Sequence, residues 1–173
     1  SAGMFPFSLH ELDCDSFATS GHKWIGGPLE TGVLYVRRNR LDDVAATLVD
    51  TYSGELEFLP GDLRLAPTAI RYEYGTRNAA AIVGLAEAMR FQESVGRERI
   101  AARGRALAAQ VRAGFERIPG MEILTPRNKE LSGSILTFRT RAIPYDKLFG
   151  RLMKEYSIRC RPVSEQKLDA LRV

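Results

Sequence analysis

The longest helical pattern of the sequence divides the chain and most constrains its fold. After Asn78, a residue suited to cap a helix N-terminus, apolar residues recur every three or four positions, as they do along one face of an amphipathic helix. These residues are Ile82, Leu85, Ala86 and Met89. Gly96 interrupts this pattern, and a second amphipathic run continues until Pro119 and Gly120 end it. The sequence therefore predicts one long helix bent at Gly96 or two helices that meet there.

Strand and helix patterns alternate on both sides of this helical region. Before it, we predict strands at residues 16–20 and 31–37, a short helix at 39–48 and an irregular segment at 51–67. After it, we predict strands at residues 121–124, 134–139 and 157–161, and a helix at 145–156. This alternation is typical of an α/β fold. We expect a domain boundary near Gly96, with residues 1–96 in one domain and 97–173 in a second.

The composition is that of an ordinary globular protein, with 45% hydrophobic residues and a net charge of +4 from 25 basic and 21 acidic residues. The basic residues are scattered among acidic ones, so we expect no nucleic acid partner. No apolar run approaches the roughly 18 residues that a membrane span needs. Two cysteines, Cys14 and Cys160, are too few for a disulfide framework and favour a reducing compartment. We therefore expect a cytoplasmic protein with no membrane partner.

Lys23 is the first candidate functional residue. It lies in a glycine-bounded connection between the first two predicted strands, and His22 and Trp24 flank it. A restrained lysine beside a histidine and an indole is suited to act as an amine nucleophile that forms a Schiff base. The Ser20 hydroxyl, the Gly21 amide and the His22 imidazole are donors that can bind an oxyanion. Together they suggest a phosphorylated aldehyde cofactor; an exposed lysine in a turn is the alternative on spacing alone.

A second candidate segment comes just before the long helical pattern. Gly75 permits close backbone approach, Thr76 supplies a hydroxyl, and a helix begins after Asn78. Such a combination is typical of an anion site. Simple helix capping is the alternative.

The segment from Asp15 to Pro28, DSFATSGHKWIGGP, followed by TGVLYVR at residues 31–37, resembles the cofactor-lysine region of the class V aminotransferase family. That family consists of fold-type I pyridoxal-phosphate enzymes and includes cysteine desulfurases, kynureninase and isopenicillin-N epimerase. The resemblance continues in order through EYGTRN at residues 73–78 to LRV at 171–173, so it covers essentially the whole chain. It implies the C-terminal part of a large cofactor domain plus a small, incomplete α/β domain, truncated at both ends.

The resemblance also implies how the cofactor is held. Pyridoxal 5'-phosphate would be the cofactor, and Lys23 would form a Schiff base with it and then move protons at the substrate Cα. Ser20 and His22 would hold the cofactor phosphate. Trp24 would pack beside that phosphate or line the pocket.

Two further roles concern the neighbouring subunit and the substrate. A glycine–threonine segment in this family reaches the phosphate of the neighbouring subunit, so Gly75 and Thr76 imply a homodimer with shared active sites. Arg172 matches the arginine that pairs with the α-carboxylate of an amino acid substrate, a role that suits its bidentate fork. The groups that contact the cofactor ring in the family would precede Ser1, so we expect the segment in isolation to be inactive.

The reaction within the family stays open among epimerisation, lyase chemistry and transamination. Glu30 stands where many relatives have glycine, and in this it resembles the isopenicillin-N epimerase branch. A cysteine desulfurase is the alternative, but its nucleophilic cysteine is expected in the loop before Arg172. Cys160 falls in a predicted strand instead and is better interpreted as a buried thiol. A non-catalytic family member with a binding or assembly role is the third alternative.

Overall fold

The structure is a computed structural model that describes residues 2–57 and 61–173. The chain divides into two compact units, Ser1–Gly96 and Arg97–Val173. The first unit contains β1 (Ser16–Ser20), β2 (Gly32–Val36), β3 (Gly54–Glu57), β4 (Asp62–Leu65) and α1 (Ala79–Val95). The second contains α2 (Arg97–Phe115), β5 (Met121–Ile123), β6 (Thr137–Thr140), α3 (Tyr145–Tyr156), β7 (Arg161–Val163) and β8 (Ala170–Arg172). Whether these units are a large cofactor domain and a small domain stays a prediction.

In the first unit, β1 and β2 pair antiparallel with Ser20 opposite Gly32. Helix α1 begins where the sequence predicts, because the Asn78 side chain accepts a hydrogen bond of 3.1 Å from the Ala81 amide. The predicted apolar face of α1 is buried only in part: Leu85 is 8% exposed, whereas Ile82 is 53% exposed. Helix α1 ends at Gly96, which adopts a φ of 95° and thereby separates it from α2.

The predicted helix at residues 39–48 is wrong. The chain forms only a 3-10 turn at Arg38–Arg40, followed by turns. The Arg71 guanidinium, 8% exposed, donates to the Leu41 carbonyl at 2.9 Å, and the Tyr72 hydroxyl lies 3.0 and 3.1 Å from the Leu41 and Val44 carbonyls. A continuing helix would use these carbonyls as acceptors for its own amides. Here they accept instead from side chains about 30 residues away in sequence, so no helix forms.

The predicted irregular segment at residues 51–67 is also wrong in part. β3 and β4 pair antiparallel within it, with Gly54 opposite Leu65. A Cβ atom on Gly54 would lie 2.1 Å from the Arg64 carbonyl oxygen, so this glycine permits a close strand approach. Residues 58–60 of the segment lie outside the described residues.

The second unit is a four-stranded antiparallel sheet in the order β5-β6-β8-β7, with α2 and α3 packed against it. Its buried core consists of Leu136, Phe138, Cys160 and Leu171. Phe115 of α2 packs against Phe138 with ring centroids 4.4 Å apart and the rings tilted by 49°. Helix α3 has the predicted bounds because its apolar residues recur at helical spacing.

Two predicted strands of this unit begin at other residues than predicted. Ser157 adopts a left-handed φ of 55° and donates its amide to the Met153 carbonyl, so it caps α3 and does not start a strand. The strand therefore begins at Arg161. β6 begins at Thr137, three residues later than predicted. Among the described residues, no helix is both long and apolar enough to cross a membrane.

Candidate functional site

The Lys23 loop, residues 21–31, connects β1 to β2 and is closed by backbone hydrogen bonds. The Gly21 amide donates to the Thr31 carbonyl at 2.8 Å, and the Gly27 amide donates to the Gly21 carbonyl at 2.9 Å. The Gly26 amide donates to the Lys23 carbonyl at 3.0 Å. Lys23 therefore sits in a turn whose backbone is fixed on both sides, as its flanking glycines predict.

Helix α1 packs directly on the Lys23 loop. A Cβ atom on Gly21 or on Gly27 would lie 2.7 Å from Cδ1 of Leu85, the buried residue of α1. At the preceding residue of α1, a Cβ atom on Gly84 would lie 2.7 Å from the Pro28 ring. Glycine at these positions is therefore required for the close packing of helix and loop.

Ser20 and Lys23 line one cavity of about 500 Å³ at the end of β1. The remaining lining residues are Ala2, Phe17, Ala18 and Thr19. Lys23 is exposed. A hydroxyl and a primary amine beside an open cavity are suited to a phosphate ester that carries an aldehyde, so the residues present fit the cofactor that the resemblance implies.

His22 and Trp24 flank Lys23 but do not belong to the lining of that cavity. Nδ1 of the exposed His22 ring lies 3.3 Å from the Thr31 carbonyl oxygen. This contact assigns the proton to Nδ1 and leaves Nε2 available as an acceptor, or as a second donor when the ring is protonated. Trp24 is 40% exposed. The Gln92 side chain of α1 donates to the Trp24 and Ile25 carbonyls, so the helix also holds the two residues that follow Lys23.

The Gly75–Thr76 segment is held by residues that sequence analysis did not single out. The Gly75 amide donates to the Asp50 carboxylate, and the fully buried Ser53 hydroxyl donates to the Glu73 carbonyl at 2.6 Å. Gly75 has a φ of +66°, and Thr76 is exposed. Aspartate followed three residues later by serine is a turn signal that could have marked residues 50–53.

Arg172 lies in β8 of the second unit, opposite Thr137 and Arg161. It is half-buried, and no carboxylate among the described residues comes within ion-pair distance of its guanidinium. The hydrogen bond from Arg161, with a smaller contribution from the charge of Arg172, lowers the pKa of Glu165. Arg172 therefore keeps its donors available for another anion.

The two cysteines are free thiols. Cys160 is 6% exposed and belongs to the apolar core of the second unit, and this burial raises the pKa of its thiol. A thiol whose charged form is disfavoured in this way is a poor nucleophile. The loop between β7 and β8, residues 164–169, contains no cysteine.

Two curated proteins illustrate what the chain is similar to. A probable cysteine desulfurase from Mycobacterium leprae is 35% identical over 138 residues, which are 77% of this chain and 31% of that protein. The isopenicillin N epimerase of Streptomyces clavuligerus is 32% identical over 143 residues, which are 79% of this chain and 36% of that protein. The chain thus spans about a third of the length of these relatives.

The fold has a solved counterpart in the apo cysteine desulfurase of Thermococcus onnurineus. That structure matches 100% of this chain with a TM-score of 0.88 and 24% identity, and the match covers 45% of its own chain. The predicted α/β fold, a part of a fold-type I transferase, is confirmed. The class V aminotransferase family matches residues 1–162. The chain therefore belongs to the class V aminotransferase family.

Proposed function

We propose that the chain is part of a pyridoxal-phosphate-dependent enzyme that acts on an amino acid through Lys23. The observation that carries this proposal is the cavity at the end of β1, which Ser20 and Lys23 share. Family membership supports it, because the motif around Lys23 resembles the cofactor-lysine region of these enzymes. In this proposal, Ser1–Gly96 is the C-terminal part of the large cofactor domain and Arg97–Val173 is the small domain.

Ser20 and the residues of the Lys23 loop would have different roles. Pyridoxal phosphate supplies an aldehyde that reacts with amines and a ring that withdraws electrons from the substrate Cα. The Lys23 amine would hold the cofactor and then take and return the proton at Cα. The Ser20 hydroxyl and the Nε2 atom of a protonated His22 would donate to the phosphate, because Nδ1 is directed to Thr31. Trp24 would pack beside the phosphate or line the pocket.

Two further segments have proposed roles. Gly75 and Thr76 would contact the cofactor phosphate of a neighbouring subunit, so we propose a homodimer with shared active sites. Arg172 would bind the α-carboxylate of the amino acid, since its guanidinium has no carboxylate partner among the described residues. Two free thiols are consistent with a cytoplasmic location, which we also propose.

A cysteine desulfurase is the second candidate function, and the 35% identical relative from Mycobacterium leprae favours it. Burial of Cys160 and the absence of cysteine from residues 164–169 count against it, because desulfuration needs an accessible thiolate. We therefore place epimerase, transaminase or lyase chemistry first. Release of sulfide from cysteine by the purified enzyme would favour the desulfurase. Retention of Lys23, Ser20, His22 and Thr76 together counts against a non-catalytic family member.

Borohydride reduction tests the proposal. We expect the subunit, as the organism produces it, to bind pyridoxal phosphate, and reduction to attach the cofactor mass to the tryptic peptide that contains Lys23. Lys23→Ala should lose this adduct, because Lys23 is the one amine that lines the cavity among the described residues. The exposed Lys129 and Lys147 serve as internal controls and should carry none. An adduct on either of them, with Lys23 unmodified, would refute the proposal.

A further inference from the structure

Residues 50–53 form a turn that is closed by its own side chains. The Ser53 amide donates to the Asp50 carbonyl at 3.0 Å, and the Tyr52 amide donates to Asp50 Oδ1 at 2.7 Å. The Asp50 amide in turn donates to the Ser53 hydroxyl at 3.1 Å. Ser53 is completely buried. These hydrogen bonds fix the conformation of the turn. Asp50 Oδ2 and the hydroxyl hydrogen of Ser53 take no part in them and are available to other partners.

Both remaining groups bind the segment that precedes α1. The Ser53 hydroxyl donates to the Glu73 carbonyl at 2.6 Å, and Asp50 Oδ2 accepts from the Gly75 amide. Two backbone groups, one on either side of Tyr74, are thus anchored to residues 20 and 25 positions earlier in the sequence. A hydrogen bond to a charged carboxylate is roughly twice as strong as a neutral one, so the Gly75 contact is the stronger anchor.

Gly75 is held in a conformation that its own packing does not require. Its φ is +66°, and a Cβ atom on it would meet nothing within 4 Å. Glycine adopts positive and negative φ about equally, so an external bond must select one of them. The Asp50 carboxylate supplies that bond. Thr76 follows immediately and is exposed.

We propose that Asp50 is a positioning residue that fixes Gly75 and thereby directs Thr76 toward an anionic ligand, the phosphate of the cofactor. The inference rests on the proposed function, in which Thr76 contacts that phosphate. Asp50 itself does not touch the ligand in this arrangement. Its role is to remove the conformational freedom of Gly75 before the ligand binds.

The direction in which Asp50→Asn changes phosphate affinity distinguishes a positioning role from a purely electrostatic effect. Asp50→Asn removes a negative charge near an anion site, so electrostatics alone predicts tighter binding of a phosphate. The Tyr52 and Gly75 amides donate to different carboxylate oxygens, Oδ1 and Oδ2. Asparagine replaces one of these oxygens with an NH2 donor, so one of the two hydrogen bonds is lost. If Asp50 acts by positioning, the same substitution weakens binding.

The experiment compares two ligands that differ only in phosphate. Dissociation constants for pyridoxal phosphate and for pyridoxal are measured for the wild-type subunit and for Asp50→Asn, Thr76→Val and the double variant. We expect Asp50→Asn to weaken pyridoxal phosphate binding about tenfold and to leave pyridoxal binding unchanged, and the double variant to bind no more weakly than Thr76→Val alone. Asp62→Asn is the matched control, because Asp62 is an exposed carboxylate of β4 in the same unit.

The outcomes are distinguishable. Unchanged or tighter binding in Asp50→Asn, or additive losses in the double variant, overturns the positioning role and leaves the proposed function intact. Failure of the wild type to bind pyridoxal phosphate overturns both. An unaffected Thr76→Val overturns the positioning role and the proposed Thr76 contact, whereas the proposed role of Lys23 has its own test. If Asp50→Asn does not fold, as judged by circular dichroism, Ser53→Ala replaces it. That variant releases the Glu73 carbonyl without a change in charge and should produce the same loss for pyridoxal phosphate alone.

Discussion

The contact between Gly27 and Leu85 allows a quantitative test of how α1 holds the Lys23 loop. Gly27→Ala places a methyl group 2.7 Å from Leu85 Cδ1, while its other neighbours, the Gly21 carbonyl and the Thr31 hydroxyl, are 3.1 Å away. Leu85 is 8% exposed and has little room to move. The clash therefore arises mainly from one side chain, and the backbone contributes little to it.

The expected magnitudes follow from this geometry. Overpacking by one methyl group costs about 1–3 kcal/mol of the free energy of unfolding. Leu85→Ala removes a buried side chain and costs about 2–5 kcal/mol. In the double variant, the new methyl group enters the space that the leucine tip vacates. The double variant should therefore be destabilised less than the sum of the two single variants, by about 1 kcal/mol or more.

Urea-induced unfolding, followed by tryptophan fluorescence, measures these values. Trp24 is the only tryptophan of the sequence and lies in the Lys23 loop, so its signal reports on the first unit. Gly150→Ala in α3 is the control for an added methyl group: its Cβ would meet nothing within 4 Å, and we expect a gain of roughly 0.8–1 kcal/mol from helix propensity. Because α3 lies in the second unit, the unfolding of this variant is followed by far-UV circular dichroism. Additive losses, or a neutral Gly27→Ala, would refute the claim that Leu85 holds the loop.

Two further predictions concern stability. Glu30 has a left-handed φ of +66°, a conformation that costs a non-glycine residue about 1–2 kcal/mol. Glycine avoids this cost but has greater conformational freedom in the unfolded chain, which offsets part of the gain. Glu30→Gly should therefore raise the free energy of unfolding by about 0.5–1 kcal/mol. A decrease in urea titrations would contradict this strain. Burial raises the pKa of Cys160, so the folded state holds its proton more tightly than the unfolded state. The free energy of unfolding should stay level up to about pH 8.5 and fall as the pH rises further. Cys160→Ala should weaken this alkaline decline, and an identical pH profile in that variant would exclude Cys160 as its source.

Local sequence signals predicted the elements whose bonds are local. Asn78 caps α1 through an amide three residues away, and α3 has its predicted bounds because apolar periodicity acts over single turns. The break at Gly96 follows from the same kind of signal. The prediction failed at residues 39–48, where the deciding partner, Arg71, is about 30 residues away in sequence. At residues 51–67, the missed pair of β3 and β4 is local, but its glycine and proline residues indicated an irregular segment.

The same distinction between local signals and distant contacts applies to the candidate site. The residue types and their order along the chain, with Ser20, His22 and Lys23 at the end of a strand, were sufficient to identify the family and to predict a phosphate ester as ligand. They could not identify which side chains hold these residues in place. Gln92 binds the Trp24 carbonyl across 68 positions, and Asp50 binds the Gly75 amide across 25.

The sequence by itself determined which chemical groups this protein can use, because hydroxyl, imidazole and amine are properties of single residues. Only the tertiary structure decided how those groups are fixed, because that depends on contacts between chain segments that meet after folding. Glycine at positions 21 and 27 illustrates the difference. In the sequence each indicates a turn, whereas in the structure each is the space into which Leu85 packs.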